Sequence, residues 1–193
     1  MTLTQPHSSR TRRLTLLALL TAVSLIMFVI ELQIPSPVPI PGIKLGLANI
    51  VTVFAVYTCK AGEAASVFAA RIILGAVFAG TPVTLLFSAC GGLLCLIGML
   101  LIRRFTDIGS IVLASIAGAV LHNLGQTAAA VFVMKTTAVL AYLPYLCFAG
   151  CIAGAFTGLC AYLVIRRLRR SGAERLMQET EQERKRRRDK NDF

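Results

Sequence analysis

The sequence predicts an all-α integral membrane protein, a bundle of about six transmembrane helices, and three observations carry that expectation. Hydrophobic residues make up 56% of the chain and the mean hydropathy is +0.73, which leaves too little polar surface to cover a soluble globule. Charges are scarce between Leu14 and Ile165, whereas both ends are densely basic. The chain therefore divides into a basic N-terminus (1–13), a membrane domain (14–165) and a basic tail (166–193), with the lipid bilayer as solvent for the middle part.

Breaks in the apolar pattern place the spans near 14–34, 45–59, 64–79, 83–102, 108–133 and 139–165. The second and third are short for a simple crossing, so one of them is expected to tilt, to re-enter or to be extended by its flanking loop. The first span has basic residues before an apolar stretch, as a signal peptide does. No small-residue cleavage site follows it, and a retained helix is expected.

Six crossings put the N-terminus, the Lys60–Glu63 turn, the Arg103–Arg104 turn and the tail on one side, and these segments hold 17 of the 20 basic residues. That asymmetry predicts both ends in the cytoplasm of a plasma-membrane protein. The net charge of +11 would suggest nucleic acid as a partner of a soluble protein, but here most of it flanks the spans and no nucleic-acid partner is expected. Between the first two spans, Pro35, Pro37, Pro39 and Pro41 alternate with other residues and exclude regular helix, so an extended, stiff segment is expected on the opposite side.

Several function classes are disfavoured by composition. The six cysteines lie almost entirely in apolar runs without paired ligand spacing, so they read as small core residues, and neither a metal nor a cofactor is expected. No Walker-type Gly-Lys-Ser/Thr loop is present, so ATP-driven work would need separate subunits.

Polar groups within a span are costly and usually face a cavity or a partner. Arg71 stands near the middle of the third span, two turns beyond Glu63, and a buried guanidinium can clamp a carboxylate or phosphate. An internal ion pair or a snorkelling arginine is the alternative. On the fifth span His122, Asn123 and Gln126 crowd one sector and read as a pocket lining, with interhelical hydrogen bonding as the rival reading. Lys44 and Asn49 follow the proline segment where a loop enters a helix, which suits either the mouth of a site or an interfacial anchor. Glu31, at the outer end of the first span, is a weaker candidate.

Small residues recur at helical spacing as Ala18/Ala22 and as Gly150/Gly154/Gly158, either for internal packing or, on the Ala18/Ala22 face, for a partner.

With the run from Pro39 to Ile50, then Arg71, then His122-Asn123-Leu124-Gly125-Gln126, the sequence resembles the heptaprenyl diphosphate synthase component I family, also called the Gx transporter family, over about residues 14–165. That family is in turn similar in size and layout to the substrate-binding S components of energy-coupling-factor transporters, which pair with a shared transmembrane subunit and ATPases. The resemblance implies an S-component-like bundle that binds a small molecule, and it matches Ala18/Ala22 to the first-helix docking motif. The synthase label implies instead a partner in prenyl diphosphate metabolism. Prenyl elongation needs aspartate-rich clusters to hold Mg²⁺, and Asp107, Asp189 and Asp192 are the only aspartates, so catalysis by this chain alone is not expected.

Overall fold

The computed structural model describes residues 8–34, 46–79, 82–105 and 108–170. Six α-helices follow one another: α1 (Ser8–Gln33), α2 (Asn49–Thr58), α3 (Ala61–Ala79), α4 (Pro82–Phe105), α5 (Ile111–Met134) and α6 (Leu143–Arg170). No strand occurs among the described residues. Short 3-10 turns precede α5 (Ile108–Ser110) and α6 (Thr137–Tyr142). Five of the helices are long and apolar enough to cross a membrane.

Each boundary has a local cause. Pro82 opens α4, where its missing amide hydrogen costs nothing. α5 stops at Lys135, which adopts a left-handed conformation with φ 50°, an ordinary helix C-terminal device. Thr136 then starts the following turn by accepting a hydrogen bond from the Ala138 amide at 3.3 Å, so the expected sixth span is a turn followed by a helix.

The pattern of exposure is the reverse of a soluble protein's. Phe132, Val77, Leu113 and Phe148 are 79%, 77%, 69% and 68% exposed, while Glu31, Arg71, His122, Asn123 and Gln126 are buried. Apolar outer faces around a polar interior require an apolar solvent, and the chain is a membrane protein.

α2 departs most from expectation. Its 10 residues span about 15 Å, half of the roughly 30 Å hydrocarbon core, so it does not cross as a helix by itself. It sits inside the bundle, with Asn49, Val51, Thr52, Val53, Ala55, Val56 and Tyr57 all buried, so protein shields its ends from lipid.

The apolar core has two parts. Val53, Val56, Tyr57, Phe68, Met99, Ile111 and Ile165 join α2 to α6 at one end of the bundle. Phe87, Ala129, Ala130, Val139 and Leu146 pack together elsewhere between α4, α5 and the approach to α6. α5 lies closely against α4 and α6, because glycines bring the backbones together. A Cβ on Gly125 would come within 2.6 Å of the Cys90 carbonyl oxygen, and one on Gly154 within 2.7 Å of Ile116 Cα.

Basic residues collect at the first of these ends. Arg13 of α1 pairs with Glu63 at the start of α3. Arg103 of α4 donates to the Val56 and Cys59 carbonyls, capping the C-terminus of α2. The start of α1, the α2–α3 turn and the end of α4 thus meet at one end, and Ile165 brings the end of α6 beside them.

The proline segment, Lys44, Asp107 and the tail from 171 onward lie outside the described residues.

Candidate functional site

A polar cluster occupies the middle of the bundle. Arg71 lies two turns into α3 from Glu63, Gly91 and Gly92 about three turns back from Arg103 on α4, and His122 three turns into α5. At 1.5 Å per residue these positions stand about 12–18 Å above the basic end, close to the midplane of a 30 Å hydrocarbon layer.

Arg71 is 5% exposed, with its guanidinium carbon 5.3 Å from the Phe68 ring centroid, a cation–π contact within its own helix. Gly92 makes room for that ring, since a Cβ there would come within 2.7 Å of Phe68 Cζ, with Arg71 Nη2 at an ordinary 3.4 Å. The carboxylate of Glu31, near the end of α1, is close enough for its charge to act on the guanidinium, and Arg71 in turn acts on His122.

Glu31 has a second task. Its Oε1 accepts a hydrogen bond from the Gly46 amide, so the acid ties the entry to α2 back to α1. Gly46 holds φ +81°, a conformation that L side chains rarely adopt, and this is why glycine serves the turn. A Cβ there would also meet Asn49 Nδ2 at 2.7 Å and His122 Cδ2 at 3.6 Å.

His122 and Gln126 are one turn apart on α5 and both face Gly91 of α4. A Cβ on Gly91 would come within 2.7 Å of Gln126 Cγ and 3.1 Å of His122 Cε1. The imidazole lies within hydrogen-bonding reach of the Gly91 backbone, but its buried Nδ1 has no hydrogen-bond partner among the described residues. A ring nitrogen without a partner inside a bundle is open to a water or ligand group.

The sequence candidates thus separate. Arg71, His122 and Gln126 come together, joined by Glu31 and by the Gly46–Asn49 turn. Asn123 points to the other side of α5, where its amide donates to the Leu146 carbonyl of α6 at 2.6 Å and packs over Gly150. Asn49 lines a separate cavity of about 10 Å³ with Gly46, Ser115 and Thr157, whose two hydroxyls are 2.9 Å apart. That volume holds about one water molecule. Lys44 is outside the described residues.

Glu31, Gly91, Ser115 and Thr157 were underrated or unmarked in the sequence. For Glu31 a signal existed, as the only acid inside an apolar span of the chain. The two small-residue patterns also differ. Gly150, Gly154 and Gly158 pack on α5, whereas Ala18 and Ala22 are exposed on α1 beside Leu19, Val23 and Ile26. Among the described residues, no group of three His, Cys, Asp or Glu could hold a metal ion.

The fold and this cluster define a multi-pass helical membrane protein with a closed polar centre. The profile of the heptaprenyl diphosphate synthase component I family matches residues 20–164, three quarters of the chain, and the protein belongs to that family. No similar curated protein and no similar solved structure was found.

Proposed function

We propose that this chain is a substrate-binding membrane subunit, S-component-like, for uptake of a small anionic or amphipathic molecule, powered by separate transmembrane and ATPase subunits. The observation that supports this most is the buried mid-depth cluster of Arg71, Glu31, His122 and Gln126. At the midplane, an arginine and an imidazole whose Nδ1 has no partner among the described residues are expensive unless a ligand or cavity uses them.

In this reading Arg71 holds the acidic group of the ligand, His122 Nδ1 and the Gln126 amide take its polar atoms, and Asn49 lies near the mouth. Asn123, its amide spent on Leu146, braces α5 against α6. Glu31 latches the turn at Gly46. Access requires that turn to move, and release follows when a coupling subunit tilts the bundle. The exposed Ala18/Ala22 strip on α1 is where such a subunit docks. The basic residues gathered at one end of the bundle favour a plasma-membrane orientation with both termini in the cytoplasm and the Gly46 turn outside.

A second reading is favoured by the family description alone: a non-catalytic membrane accessory of a prenyl diphosphate synthase, holding a soluble catalytic subunit through the basic tail. Affinity purification of the full chain from its native membrane separates the two. The uptake reading expects a transmembrane coupling protein with ATPases, lost on Ala18→Leu with Ala22→Leu while the isolated bundle stays monodisperse. Recovery of a soluble prenyl synthase subunit in their place, indifferent to that double substitution, would replace it with the accessory reading.

A further inference from the structure

A crevice beside Arg71 lies between α1, α3 and α4. Arg71 and Ser88 are its polar lining residues, and Phe28, Ile72, Ala76 and Leu85 are its apolar ones. Its volume is about 10 Å³, so a ligand must widen it. The wall that can move is α1. This helix rests on α3 and α2 without substantial contact to α4, and Phe28 is its only buried apolar side chain among the described residues.

We propose that this crevice takes a single-chain amphiphile with an acidic head, a carboxylate or phosphate monoester, whose tail lies along Phe28, Ala76 and Leu85 and leaves into the bilayer between α1 and α4. The proposal rests on the binding-subunit reading and names its substrate class. The walls decide between an amphiphile and a free anion. Apart from Arg71 and Ser88 the lining offers no side-chain donor, so a bare phosphate would lose its water to apolar surface. An amphiphile gives the same guanidinium the same head and gives the apolar lining a tail, and Ile73, Leu74 and Val77 of α3 are already exposed to lipid. Five N–H donors let Arg71 serve Glu31 and the head at once, but the two anions repel, so Glu31 sets how tightly the head is held.

The experiment is native mass spectrometry of the full chain in dodecyl maltoside, titrated with dodecyl phosphate and separately with inorganic phosphate. One dodecyl phosphate is expected to bind saturably, and inorganic phosphate at the same concentrations not at all. Arg71→Gln should weaken the amphiphile about tenfold or more by removing the charge-assisted contact. Ala76→Phe, a lipid-side substitution with folding checked by circular dichroism, should weaken it similarly by filling the slot. Glu31→Gln should tighten it several-fold, an opposite sign that loss of structure would not give. Unchanged binding in both Arg71→Gln and Ala76→Phe would assign the amphiphile to the basic end and overturn the proposal, as would equal binding of inorganic phosphate. If wild type carries a water-soluble ligand that Arg71→Gln loses and Ala76→Phe keeps, the crevice proposal falls while the binding-subunit reading stands.

Discussion

Asn123 and His122 are neighbours in sequence and face different helices. A step of about 100° along α5 turns the imidazole toward Gly91 of α4 and the amide toward Leu146 of α6. Removing that amide takes away a buried hydrogen bond between α5 and α6, so Asn123→Ala should lower stability by about 0.5–1.5 kcal/mol. A thermal melt followed with a thiol-reactive dye measures it, since Cys59 and Cys95 are buried and become accessible on unfolding. Arg103→Ala should cost about 1–2 kcal/mol in the same assay by uncapping α2 at the Val56 and Cys59 carbonyls. An unchanged melting temperature in either variant would show that water or a neighbouring group takes over the contact. Arg71, His122 and Gln126 were visible in the sequence because polar residues in an apolar span announce themselves. Glu31's place beside Arg71 was not, because it depends on how α1 lies against α3, a contact 40 residues apart that no local pattern encodes.

Among the elements, α5 is held most tightly, and glycine is the means. Gly125→Ala would drive a Cβ into the Cys90 backbone at 2.6 Å, and α4 and α5 must separate to admit it. The expected loss is about 1–3 kcal/mol, seen as a lowered melting temperature. Gly62, in the first turn of α3, has nothing within 4 Å of the added carbon. Gly62→Ala should be neutral or stabilising by up to about 1 kcal/mol, because alanine is the better helix former. Equal stabilisation by both would mean that helix propensity, not close packing, governs these sites. The six-helix order was legible from the apolar runs, and so was the shortness of the second span, but the point where its helix begins was not. Residues 45–59 read as one apolar stretch, and only the left-handed turn at Gly46 shows where the helix gives way. The same four-residue spacing describes Ala18/Ala22 and the Gly150 series, so spacing could not tell that one faces out and the other in.

At the scale of the whole molecule, polar residues inside and apolar residues outside make the bilayer part of the fold, and the basic end fixes its proposed orientation. Fusions to each terminus test that orientation: a fluorescent protein should be bright and an alkaline phosphatase inactive at both ends. An active phosphatase at either end would contradict the paired cytoplasmic termini. The gathering of basic segments at one end was readable from charge alone, because alternate connections of an even-numbered bundle must fall on the same side. The closed centre was not, since its walls are assembled from α1, α3, α4, α5 and the turn before α2. The central claim is that this centre binds a small molecule. Native mass spectrometry of the chain purified in mild detergent tests it most directly, with wild type compared to folded Arg71→Ala and His122→Ala. A discrete added mass is expected on wild type and is lost from both variants. Wild type without any added mass, recovered together with a soluble prenyl synthase subunit, would contradict it.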